Sequence, residues 1–72
     1  MLFFKYMKIY IEKDNTFIEK HLDKKIRVID LLNELNISPE AVIVIKNDEV
    51  ITEDEFLSNE DEIKLLSVIS GG

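Results

Sequence analysis

The 72-residue chain has no cysteine and no tryptophan, one proline (Pro39), and only two glycines, Gly71 and Gly72, which are its last two residues. Without cysteine there is no disulfide framework, no thiolate metal site, and no cysteine nucleophile or sulfur-relay residue. That absence is compatible with a cytoplasmic setting. No apolar run approaches the roughly 20 residues of a membrane-crossing helix, so a membrane partner is not expected. The opening MLFFKYM is too short for a secretory signal and lacks a small-residue cleavage site. Positive charge is also scarce, since 9 Lys and Arg against 15 Asp and Glu leave a net charge of −6. Phosphate backbones repel such a surface, which argues against nucleic acid as a direct ligand. Partners with basic surfaces are favoured instead.

An apolar fraction of 46% and a charged fraction of 33% describe a soluble globular domain. A chain this short buries only about 60% of the surface its unfolded form exposes, enough for one sheet with a helix across it. A deep enzyme cleft does not fit, and no base–nucleophile pair or cofactor motif is visible. The expectation is a non-enzyme.

The pattern along the chain is informative. From Met7, MKIYIEK alternates, with Met7, Ile9 and Ile11 on one side and Lys8, Tyr10 and Glu12 on the other, as a half-buried strand does. Asp14-Asn15 supplies turn chemistry. Thr16 to Leu22 reads as a hairpin partner whose inward face holds Ile18 and Leu22 in one register and Phe17 in the other; the first is favoured. Val28, Leu31, Leu32 and Leu35 fall at helical spacing. Asp30 sits in the first turn of that helix, Arg27 is a poor N-cap, Asn36 suits a left-handed position after its end, and Pro39 bars continuation. Ala41 to Lys46 is a β-branched strand, Asn47-Asp48 a two-residue hairpin turn, and Glu49 to Ile51 the return. Thr52 to Glu55 fits a capping box, predicting one helical turn with Phe56 and Leu57 packed inward. Ser58 to Asp61 is a polar turn, and Ile63 to Val68 the last strand, with Ile63 and Leu65 inward. The order β-β-α-β-β-β predicts an α+β fold with four or five mixed strands, the first and last parallel at the sheet centre.

The terminal Gly71-Gly72 behind an apolar strand, with LLNEL at 31–35, VIKNDEVI at 44–51 and NEDEIKLL at 59–66, resembles the ubiquitin-like sulfur-carrier proteins. These include the thiamine carrier ThiS and the molybdopterin synthase small subunit MoaD, and they share the β-grasp fold. The resemblance covers roughly residues 7–72, leaving residues 1–6 as an N-terminal extension. Phe3, Phe4 and Tyr6 either extend the first strand or precede the domain. The chain departs from the family at Asn47-Asp48, where Asn-Gly is usual, at Glu60-Asp61, where Gly-Asp is usual, and at Ser67, where the molybdopterin subunit often has proline.

The resemblance implies a carrier whose Gly72 carboxylate is adenylated by a ubiquitin-activating-like enzyme and then converted to a thiocarboxylate. ATP would be used by that partner, with no cofactor bound to the carrier. A sulfur donor such as a cysteine desulfurase and a sulfur-accepting synthase complete the partners. Thiazole synthesis for thiamine is the favoured pathway; molybdopterin synthesis, tRNA thiolation and protein modification are alternatives. A β-grasp binding module with an inert tail is the reading from another class, since glycine at a mobile chain end is harmless. Against it, two glycines in the last two positions arise by chance in roughly one chain in 200 at average usage.

Ile69, Ser70 and Gly71 are the expected recognition segment, within a tail, Ile69 to Gly72, expected to be disordered when free and extended when bound. Glycine there would let the backbone thread a narrow channel. Leu66 and Val68 alternate with core residues and point outward. The 41–46 strand places either Val42 and Val44 or Ile43 and Ile45 outside. Leu66, Val68, Ile43 and Ile45 form the candidate partner-binding patch. The one histidine, His21, reads as a surface residue. The acidic runs at 53–55 and 60–62 read as a capping box and a solvated face, so no metal is assigned.

Overall fold

The computed structural model describes residues 5–68. The readings placed on Phe3 and Phe4 and on the tail, Ile69 to Gly72, lie outside the described residues. Eight elements of regular structure follow in order: β1 (Met7–Ile11), β2 (Thr16–Lys20), β3 (Ile26–Arg27), α1 (Val28–Glu34), β4 (Val42–Lys46), β5 (Glu49–Ile51), β6 (Phe56–Leu57) and β7 (Glu62–Ser67). Short 3-10 turns at Glu12–Asp14 and Pro39–Ala41 join them. Tyr6 precedes β1 and sets its ring edge-on to His21, so it does not extend the strand.

Five strands form one sheet in the order β2-β1-β7-β4-β5. β1 and β7 run parallel at its centre, with Ile9 opposite Ile63 and Ile11 opposite Leu65. The remaining neighbours are antiparallel. With α1 covering one face, this is the α+β arrangement that the periodicities predict and the β-grasp that the resemblance implies. Alternation along β1 and β7 sends Met7, Ile9, Ile63 and Leu65 to the helix side, where they meet Val28, Leu31 and Leu32, all essentially without solvent exposure. Each such side chain stabilises the fold by roughly 1.5–3 kcal/mol before entropy is counted. Among the described residues no polar or charged side chain is buried.

Three local features follow the residue chemistry. Asn36 takes φ 59° after α1, and the amides of Asn36 and Ile37 bond back to the carbonyls of Asn33 and Leu32, closing the helix end. Asn47 and Asp48 take φ 50° and 70°, the paired left-handed geometry that matches the twist of a two-residue hairpin. β2 turns Ile18 toward the core and leaves Phe17 78% exposed, and Leu22, just after the strand, is buried, as the favoured register requires.

Residues 52–57 differ from expectation. There is no helical turn. A β-turn, with the Glu55 amide bonded to the Thr52 carbonyl, leads into β6, which pairs antiparallel with β3. Leu57 is fully buried, but Phe56 is half-exposed, its ring centroid 5.2 Å from the Arg27 guanidinium carbon. The cause is the start of α1. Arg27 has no side-chain acceptor for the first helical amides, and its own amide bonds the Asp30 carboxylate at 3.2 Å. The Val28 and Ile29 amides are met instead by the carbonyls of Glu55 and Glu53, at 2.9 and 3.0 Å. With the Glu53 and Glu55 carbonyls aimed at the start of α1, the segment follows a β-turn into β6 instead of a helical turn.

Candidate functional site

The strand that leads into the tail occupies the middle of the sheet and is held on both edges up to its last residues. On the β4 side, the Val68 amide donates to the Ala41 carbonyl at 2.9 Å. On the β1 side, the Ser67 amide donates to the Glu12 carboxylate, Oε1, at 3.0 Å. A cavity of about 390 Å³ opens beside this point, lined by Ile11, Leu35, Ile37, Leu65 and Ser67 among others.

The face opposite α1 carries the apolar residues. In the β4–β7 ladder Leu66 stands opposite Ile43, and Lys64 opposite Ile45. Ile43 is 44% exposed, as is Val68, while Ile45 and Leu66 are half-buried. Val44, one residue from each isoleucine, is buried in the core, which resolves the two possible faces of 41–46 in favour of Ile43 and Ile45 outside. Period-2 alternation sets Val68 on the Leu66 side. The four patch residues are thus brought together on one surface along the second half of β7. Gly72, Gly71, Ser70 and Ile69 lie outside the described residues, directly after it.

The same face extends further than the candidate patch. One register row crosses all five strands: Phe17, Tyr10, Lys64, Ile45 and Val50. Val50 is 72% exposed, and the Tyr10 and Phe17 rings lie 4.7 Å apart between centroids. The sequence signal for these was present in the register that turns Ile18 inward and Phe17 outward. Lys64 sets one positive charge between the aromatic pair and the aliphatic patch. Glu12 was not a sequence candidate. Nothing in its spacing marks it, because its role depends on where β1 leaves the sheet.

Charge elsewhere is structural. Burial pushes the Asp61 carboxyl up, but hydrogen bonds from the Ser58 amide and from Asn47 Nδ2, with the Lys46 charge and the Ser58 hydroxyl, outweigh it and hold the group below its ordinary value. The hydrogen bond and charge of Lys5, 2.8 Å away, lower Glu60 in the same sense. His21 is exposed, with Nδ1 3.0 Å from the Lys5 carbonyl oxygen. Among the described residues no group of three His, Cys, Asp or Glu is placed to hold a metal, and no helix is long and apolar enough to cross a membrane.

A family model described as the ThiS family matches residues 3–72. The chain is also 37% identical over 43 residues to the "Sulfur carrier protein TtuB" of Thermus thermophilus. That alignment covers 60% of this chain and 66% of the relative, a little under two thirds of its length. The family match extends four residues nearer the start than the resemblance read from motifs, taking in the segment read as an extension. Running from residue 3 to the final glycine, it leaves no strand of the β-grasp outside, and the chain accordingly belongs to the ThiS family, the ubiquitin-like sulfur carriers its sequence resembles.

Proposed function

We propose that this protein is a sulfur carrier whose reacting group is the carboxylate of Gly72. The observation that carries the reading is the position of β7: a central, doubly held strand that runs past an exposed apolar patch directly into a segment ending in Gly71-Gly72. A carboxylate is a poor acylating group until one oxygen departs with a good leaving group. An ATP-dependent activating enzyme supplies that step. The Gly72 carboxylate attacks the α-phosphorus, pyrophosphate leaves, and an acyl adenylate forms. A nucleophilic sulfur from a donor such as a cysteine desulfurase then displaces AMP and leaves a thiocarboxylate. Where the sulfur arrives as a persulfide, a thiol cleaves the intermediate acyl disulfide. The carrier needs no cysteine, metal or bound cofactor for this sequence.

The chain contributes surface and reach. Leu66, Val68, Ile43 and Ile45 form the docking patch, with Ile69, Ser70 and Gly71 read by the enzyme's channel. Glycine at the end keeps Cβ atoms away from the reacting carbon. The relative's printed name, a sulfur carrier protein, supports the carrier class. For the acceptor we favour the thiazole of thiamine, on the family match and the tail without proline; molybdopterin, tRNA and protein acceptors are the competing outcomes. The cytoplasm is the compartment in which such partners and ATP meet.

Intact mass of the protein isolated from its host tests the reading. A population heavier by the difference between sulfur and oxygen is expected, and conjugates of larger mass would instead indicate a protein modifier. ATP–pyrophosphate exchange with the host's activating enzyme tests the other class. Exchange that survives deletion of Gly71 and Gly72 would refute carriage and leave a binding module with an inert tail.

A further inference from the structure

The β1–β7 ladder ends early on one side. Its register runs from Lys8 opposite Glu62 to Ile11 opposite Leu65, and two more positions would set Lys13 beside Ser67. β1 does not supply them, because the chain turns away at Glu12–Asp14 and reverses at Asn15, which takes φ 49°. The Ser67 amide points toward β1, since amides of successive strand residues point to opposite edges and the Val68 amide is already bonded to Ala41 on the β4 side. Its backbone acceptor is therefore gone. The Glu12 carboxylate takes that place at 3.0 Å. Two methylenes let the side chain span the distance between neighbouring strands, about 4.8 Å, and an ionised acceptor makes a stronger bond than a carbonyl.

We infer that Glu12 is a positioning residue for the reaction at the chain end: its carboxylate steadies, from the β1 edge, the end of the strand that carries the tail. This rests on the carrier reading. With both bonds in place the strand is held through Val68, and four residues remain, 69 to 72, which span at most about 14 Å when extended. Without the Glu12 bond Ser67 is held from one edge only. The Val68–Ala41 bond then secures the end of β7 alone, so that end frays more readily and the outward setting of Leu66 and Val68 loosens with it. A looser base must be ordered again each time the partner binds. The effect therefore falls on association, while the terminal chemistry is unchanged once the tail is seated.

The test uses the full chain with Glu12→Ala and Glu12→Gln. Amide hydrogen exchange at Ser67, compared with amides of β4, reads the clamp directly and needs no partner. ATP–pyrophosphate exchange with the host's activating enzyme reads its consequence. For Glu12→Ala we expect faster exchange at Ser67 with β4 unchanged, a KM for the carrier raised about fivefold, the factor that one net hydrogen bond is worth, and an unchanged kcat. Glu12→Gln keeps an acceptor oxygen and should stay near wild type in both measurements. Unchanged Ser67 exchange in Glu12→Ala overturns the inference, as does faster exchange with an unchanged KM. Wild-type protein that is not adenylated at all overturns the carrier reading instead, and the Ser67 measurement still decides whether Glu12 holds the strand.

Discussion

Ile43 and Leu66 face each other across the β4–β7 ladder on the side of the sheet away from the helix. Their neighbours Val44 and Leu65 form the matching pair on the inside, both buried. Each strand therefore places one aliphatic residue in the core and the next against solvent, where a partner can cover it. Leu66→Asp should raise the KM of the carrier for its activating enzyme about tenfold, at the low end of what burying a leucine is worth because Leu66 is already half-covered. The kcat at saturating carrier should not change. Steady-state pyrophosphate exchange reads both constants, and an unaltered KM would remove this face from the docking surface.

The pair Phe56–Leu57 gives the sharpest contrast inside the fold. Leu57 is fully buried between the short strands and the helix, whereas Phe56 lies outside against Arg27. Leu57→Ala should destabilise the protein by about 2–5 kcal/mol through lost burial and the cavity left behind. Phe56→Ala should cost no more than about 1 kcal/mol, chiefly its contact with the guanidinium. Urea unfolding of the two variants measures the difference. Equal losses would mean that both side chains pack inward, as a helical turn at 52–55 would place them.

That contrast also marks where sequence reasoning stops. β1, α1, the Asn36 helix end and the Asn47-Asp48 hairpin were legible because each is set by residues within a few positions of one another. The segment 52–57 was not. Its Thr-x-x-Glu pattern is a local signal for a helix, but its carbonyls are drawn off by the Val28 and Ile29 amides, more than 20 residues earlier. The patch was legible to within one ambiguity, Val42 and Val44 or Ile43 and Ile45, and pairing with Leu66 resolves it. Glu12 had no signature, since a glutamate at a strand end is ordinary until the neighbouring strand lacks an acceptor. The chemistry expected at Gly72 comes from residue identity and family membership, and its placement lies outside the described residues.

The hairpin turn is also tied to the start of β7. Asn47 Nδ2 donates to Asp61 Oδ1 at 2.8 Å, the Glu62 amide donates to Asn47 Oδ1 at 2.9 Å, and Asp61 Oδ2 accepts from the Ser58 amide at 2.8 Å. The bonds from Asn47 and Ser58 favour the ionised Asp61, whose folded value lies below the ordinary 3.8. A depressed carboxylate contributes stability that is fully present above its unfolded value and is lost as the pH falls through the folded one. Asp61→Asn should therefore destabilise the protein by about 1 kcal/mol near neutral pH. The difference from wild type should shrink below about pH 4. Urea unfolding at several pH values measures it, and a difference that grew on acidification would contradict the assignment of the bonds to the carboxylate.

The final residue supplies the remaining test, because glycine has no side chain and alanine adds a single methyl. Gly72→Ala places one methyl beside the carboxylate that, in the proposed reaction, approaches the α-phosphorus of ATP. It leaves untouched the core, which is built from residues of the described segment, and the patch at Ile43, Ile45, Leu66 and Val68. Thermal unfolding should coincide with wild type, and the KM should stay within about twofold, since the proposed docking energy comes from the patch. The kcat for pyrophosphate exchange should fall at least tenfold, because misplacing reacting atoms by even about 1 Å can slow a step a hundredfold. The loss would be the reverse of that expected for Leu66→Asp: kcat without KM in one, KM without kcat in the other. Adenylation of Gly72→Ala at the wild-type rate would show that the closing glycine is not required sterically, and its presence would then need another cause.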